Sequence, residues 1–155
     1  MASPGPRRRR TDAGRDRPPA FEPTPDGLGP ADPKALLRSL GEALESARRQ
    51  RRPMTLVSLS VAGGDGARLE RVAALTRRTV RDTDAIWRDG QSGLVLLLAD
   101  ADGPRSEPAL ARLRLRLRDR GLAGVTMGRA APPPGIGAEE LLLLARADRR
   151  PIGDA

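Results

Sequence analysis

The side chains available for chemistry are few in kind. The chain has no His and no Cys. That excludes imidazole general-base catalysis, thiol nucleophiles, disulfides and Cys/His zinc sites. Phe21 and Trp87 are the only aromatics, too few for a platform that stacks single-stranded bases. What remains is carboxylate–metal chemistry, arginine-based anion binding, or no catalysis. Asp100 and Asp102 could be imagined as a metal pair. Placed before Gly103-Pro104, they read better as turn formers. Gly63-Gly64-Asp65-Gly66 reads as the end of a strand and the cap of a helix. Arg112, Arg114, Arg116 and Arg118 could form a face for nucleic acid or anionic lipid. On a helix, however, even-numbered positions spread around the cylinder, which favours a solvated face.

Charge places these groups on the folded part. The 155 residues hold 28 Lys+Arg against 20 Asp+Glu, a net charge of +8. Residues 1–33 contain eight prolines and the block Arg7 to Arg10, yet six arginines against five acids leave only +1 there. The rest of the chain carries +7. Proline-rich and without apolar periodicity, residues 1–33 are expected to be a disordered tail. The folded domain is expected over 34–150, with a short tail over 151–155. No apolar stretch follows the arginine block as a secretory signal requires, and none is long enough to span a membrane. The expected location is cytoplasmic.

The elements that must position any site follow from pattern. Asp32 and Pro33 open a helix with Leu36, Leu37, Leu40 and Leu44 at helical spacing, fading into Arg48 to Arg52. Met54 to Val61 reads as a strand. Asp65 is placed to cap a helix presenting Leu69, Val72, Ala73 and Val80. Ala85 to Arg88 and Leu94 to Leu98 are strands joined by turn residues 89–93, hence a hairpin. Leu113, Leu115 and Leu117 alternate with arginines as a strand would. The length from Glu107 to Arg120 and the stop at Gly121 favour a helix. Val125 to Met127 is a strand and Ala138 to Asp148 a last helix. The fold class is therefore α/β (α+β), with a ferredoxin-like β-α-β-β-α-β core. The pattern reads as a central antiparallel hairpin flanked by parallel neighbours. There is no internal repeat.

Specific residues now suggest a family. The stretch from Arg81-Asp82-Thr83-Asp84 through Trp87-Arg88-Asp89 to the strand ending at Leu97 resembles the hairpin of GGDEF domains, the diguanylate cyclase family. Their pattern is R-x-x-D-x-x-x-R-x-G-G-D-E-F and then an apolar strand. The signature turn here reads Gly90-Gln91-Ser92-Gly93-Leu94. Asp26, Gly29, Asp32 and Lys34 are similar in spacing to the leading D-x-L-T-G-L-x-N-R segment. Gly64-Asp65 with Leu69, Val72 and Ala73 looks like the family's Gly-Asp helix start. Val125-Thr126-Met127-Gly128 looks like V-S-I-G, and Glu140-Leu141 with Ala147-Asp148 like the last helix. The resemblance covers 26–150 and implies a shortened fold of this nucleotide-cyclase type.

The resemblance also implies a reaction and where it should fail. Joining two GTP molecules into cyclic di-GMP needs a divalent metal on hard oxygen ligands. The family draws carboxylates from a D-x-D at the end of the first strand and from the hairpin turn. The matching positions are Ser60 and Ala62, and Ser92 and Gly93. The family's F-K-x-x-N-D helix, which supplies phosphate and guanine contacts, has no room between Ala62 and Gly64-Asp65. The expectation is a degenerate domain with no metal, no cofactor and no cyclase activity.

Arg81 and Asp84 keep the R-x-x-D spacing of the family's inhibitory site, which implies cyclic di-GMP as a ligand. A guanidinium fork suits phosphate or a guanine edge, and a carboxylate accepts from guanine N–H groups. The structural alternative is a cation near a helix end and an acid starting a strand. Trp87 is expected in the core. The run Leu141 to Leu144 must leave some leucines off the core face. Because the family continues into another strand after this helix, an unpaired sheet edge is expected too. These features suggest a protein partner or self-association. The leading reading is a regulatory or interaction module in bacterial signalling. The alternative is an arginine-rich accessory protein that binds nucleic acid or another polyanion.

Overall fold

The computed structural model describes residues 28–29, 32–63, 66–122 and 124–153. Most of the segment read as a tail, and Asp65 as a helix cap, lie outside them. The elements in chain order are α1 (Pro33–Gln50), β1 (Met54–Val61), α2 (Gly66–Thr79), β2 (Ala85–Asp89), β3 (Gly93–Ala99), α3 (Gly103–Asp119), β4 (Val125–Ala130), α4 (Ala138–Ala147) and β5 (Arg150–Pro151).

Each helix start has a local cause. The Asp32 carboxylate accepts from Lys34 N at 3.2 Å, with Pro33 in the first turn, where its missing N–H costs nothing. The Asp102 carboxylate accepts from Arg105 N at 3.0 Å in the same way. So α3 begins at Gly103, a turn before the expected Glu107, because the Asp102–Pro104 signal lies upstream of the leucines. The leucine–arginine alternation resolves as helix: Leu110, Leu113 and Leu117 are buried, and Leu115 is exposed.

The sheet order is β2-β3-β1-β4-β5, and every adjacent pair is antiparallel. This corrects the expected parallel neighbours and central hairpin. Each helical crossover returns the chain two places along the sheet, and a strand of opposite direction fills the gap. β3 lies between β1 and β2, and β1 lies between β3 and β4. The central strands are β1 and β3, with the hairpin reaching one edge.

The pleat divides the core in two. Val57, Leu59, Val61, Leu94, Leu96 and Leu98 meet α2 and α3 on one face. Leu56, Val95, Leu97 and Trp87 meet α1 and α4 on the other. The folded body also extends beyond 34–150. Leu28 is buried, and Gly29 N donates to Ile86 O at 2.7 Å. Beyond α4, β5 pairs with β4 through Thr126–Pro151 and Met127–Arg150, and Ile152 is buried. The sheet edge expected to be bare at β4 is therefore partly covered.

Candidate functional site

The four positions that the resemblance assigns to metal ligands do converge. Ser60 is in register with Gly93 on one side and Thr126 on the other. Val61 N donates to Ser92 O at 2.8 Å, and Ala62 N donates to Gly124 O at 3.0 Å. The end of β1 and the hairpin turn thus form one small region, with Gly90 supplying the left-handed φ of 72° that the turn needs. β1 passes into α2 through a turn at Ala62-Gly63, and α2 is in place by Gly66. No helix fits in that interval.

The donors in this region do not suit a divalent cation. Two hydroxyls, a methyl group and a glycine replace the carboxylates. A Cβ at Gly93 would lie 2.7 Å from Asp89 O and 3.3 Å from Leu59 O, both backbone atoms, so this backbone leaves no space for an acidic side chain there. Leu94 is fully buried and serves the core. Gln91 is exposed. The nearby acids are already engaged. Asp89 is held by Arg146 through contacts of 2.7, 2.8 and 3.2 Å, and Glu70 by Arg88 at 2.9 Å. Other arginines crowd this end. Arg68 Nη1 comes within 3.3 Å of where a side chain at Gly124 would begin. Arg149 Nε donates to Ser58 Oγ at 2.9 Å. Burial, and then the charge of Arg146, lower its pKa from the usual arginine value. Among the described residues, no three acids gather into a cluster that would hold a metal ion.

Arg81 and Asp84 do meet, at 3.5 Å, but the two are not equivalent. Asp84 is only 4% exposed. Its carboxylate accepts from Arg81 N and from Ala99 N, each at 3.0 Å. It ties the turn after α2 to the end of β3. Arg77 reinforces this turn by donating to Arg81 O at 2.7 Å. The Arg81 guanidinium also donates to Ala99 O, yet its side chain is 61% exposed. The structural alternative describes Asp84, while Arg81 remains accessible to a ligand.

The other sequence candidates have structural places. Asp102 caps α3, and Asp100, at a positive φ of 56°, lies 3.7 Å from Arg52. Arg114, Arg116 and Arg118 reach Glu107, Thr79 and Ile152 O respectively. Trp87 is fully buried, with Gly29 against its indole. Leu141 and Leu142 are buried, and Leu143 and Leu144 exposed. Sequence reasoning missed the Arg146–Asp89 bridge and the double pairing of Glu107 with Arg114 and Arg129. The Asp89–Arg146 and Glu107–Arg129 contacts join different elements and leave no local mark, and Glu107 and Arg114 lie two turns apart on α3, beyond the usual three- or four-residue spacing of helix pairs.

No protein-family model matches the sequence, and no curated protein matches it. Solved structures do. The GGDEF domain of DgcB from Caulobacter crescentus, in complex with c-di-GMP, aligns at a TM-score of 0.68 and 18% identity. It covers 77% of this chain and 80% of that one. The FimX GGDEF domain from Pseudomonas aeruginosa aligns at 0.67 and 20% identity, covering 81% and 90%. Diguanylate cyclase SiaD from the same organism, in complex with its activator SiaC, aligns at 0.66 and 19% identity, covering 93% and 62%. Residue patterns and backbone similarity thus agree that the chain has the GGDEF-type fold of diguanylate cyclases.

Proposed function

We propose that this protein is a GGDEF-like domain without cyclase activity that works as a regulatory or protein-interaction module in bacterial signalling. The observation that carries the reading is the hairpin turn at Gly93. The backbone there excludes a Cβ, and Ser60, Ala62 and Ser92 beside it bring no negative charge. Two GTP triphosphates need carboxylate-held metal to neutralise them, and this region offers arginines instead. The regulatory part draws support from two similar structures, one described with c-di-GMP and one with an activator protein. The exposed Leu143 and Leu144 on α4 suit a protein contact.

Incubation with GTP and Mg²⁺ tests the first part. Neither cyclic di-GMP nor pyrophosphate is expected, and sustained turnover would overturn the metal argument. In this reading cyclic di-GMP binds through Arg81, with Asp84 as its positioning partner. Calorimetry with the dinucleotide should show binding that Arg81→Ala weakens about tenfold, the value of one charge-assisted contact. A wild-type protein that gives no heat removes the dinucleotide and leaves the protein partner.

A further inference from the structure

A second basic region lies away from the hairpin turn, between α3 and the β4–β5 edge. It is an open cavity of about 480 Å³. Its walls bring together Arg114 and Arg118, one turn apart on α3, with Arg129 of β4 and Arg150 of β5. Arg150 is in register with Met127, so both side chains lie on the α3 side of the sheet. Two acids are close, and both are engaged. Glu107 holds Arg114 at 2.9 Å and also pairs with Arg129, and the Asp148 carboxylate accepts from Arg129 N at 2.9 Å. Arg118 uses Nε on Ile152 O. Among the described residues no carboxylate pairs with Arg118 or Arg150. Among the described residues, four guanidiniums against two carboxylates leave the region with an excess charge of about +2.

We propose that this cavity binds a small anionic ligand carrying two linked phosphate groups, of nucleoside-diphosphate size. The planar guanidinium fork fits phosphate oxygens two at a time. Glu107 fixes the forks of Arg114 and Arg129 in advance, which lowers the ordering cost of binding. Arg118 and Arg150 complete a pair of phosphate subsites on opposite walls. The volume falls in the range of about 300–1,000 Å³ usual for small-molecule sites. The site is independent of Arg81 and of the hairpin turn.

Calorimetry of the full chain with inorganic pyrophosphate tests this, with a short RNA as the competing polyanion. Arg150→Gln and Arg114→Gln should each weaken pyrophosphate binding about tenfold. Arg112→Gln, on the same helix but outside the cavity, should change it by no more than about twofold. Thermal unfolding of each variant confirms that the fold is retained. No heat with pyrophosphate up to about 10 mM would overturn the proposal. So would equal weakening in all three variants, or binding of the RNA alone.

Discussion

Asp84→Ala should unfold the protein more readily than any change at Arg81, although the two residues form one pair. The Asp84 carboxylate is buried and accepts from two backbone N–H groups, Arg81 N and Ala99 N, each at 3.0 Å. Bonds to a charged acceptor contribute about 1.5–3 kcal/mol each, and truncation leaves both donors without a partner. Water entering from the Arg81 side offsets part of the loss, giving a net cost of about 2–4 kcal/mol. With a urea m-value of about 1.5 kcal/mol/M, the midpoint should fall by about 1.3–2.7 M. Asp84→Asn keeps one acceptor oxygen and should lose about half as much. Arg81→Ala removes an exposed side chain and an exposed-side ion pair, and should cost less than about 1 kcal/mol. Urea titrations followed by circular dichroism measure all three. An Asp84→Ala midpoint within error of the wild type would show that Asp84 is not a structural tie.

Gly29→Ala would place a Cβ 2.1 Å from Trp87 Cδ1. It should push that segment off β2 and red-shift the fluorescence of the only tryptophan; an unshifted spectrum would contradict the close approach. Gly93→Asp combined with Ser92→Asp restores two acids on paper. It should cost about 1–3 kcal/mol through overpacking against the Asp89 and Leu59 carbonyls and yield no cyclic di-GMP; a stable, active variant would sink the steric argument. The Glu107 pKa lies below its ordinary value of 4.5, chiefly through the hydrogen bond from Arg114, with Arg129 adding to it. A depressed carboxylate contributes stability that is present above the unfolded value and lost as pH falls through the folded one. Glu107→Gln should therefore flatten the acid limb of the stability–pH curve below about pH 4.5, modestly because the side chain is half exposed, and an unchanged limb would count against the pairing.

Much of the fold was legible because its causes are local. Asp32-Pro33 starts a helix where it stands, and Gly90 turns the chain where it stands. The unbroken burial of Leu94 to Leu98 needs only two packed faces. The direction of neighbouring strands was misread because it depends on where two crossovers set the chain down. The start of α3 was misread because its cap lies upstream of the leucine pattern. The last strand was missed because two residues carry no periodicity, and only their pairing with Thr126 and Met127 defines them.

The same division runs through the candidate site. The sequence alone determined that Ser60, Ala62, Ser92 and Gly93 bring no carboxylate, because charge is a property of the residue. It also determined that Arg81 and Asp84 would be near each other, three residues apart. Only the tertiary structure decided that Asp84 is occupied by backbone donors, one of them 15 residues away at Ala99. It alone closed Gly93 to a side chain, and joined Arg146 to Asp89 across 57 positions. It also gathered four arginines from α3, β4 and β5 around one cavity. Which charges meet depends on how the sheet brings distant strands into register and lays helices across them. That arrangement is a consequence of burying both faces at once, and no local spacing records it.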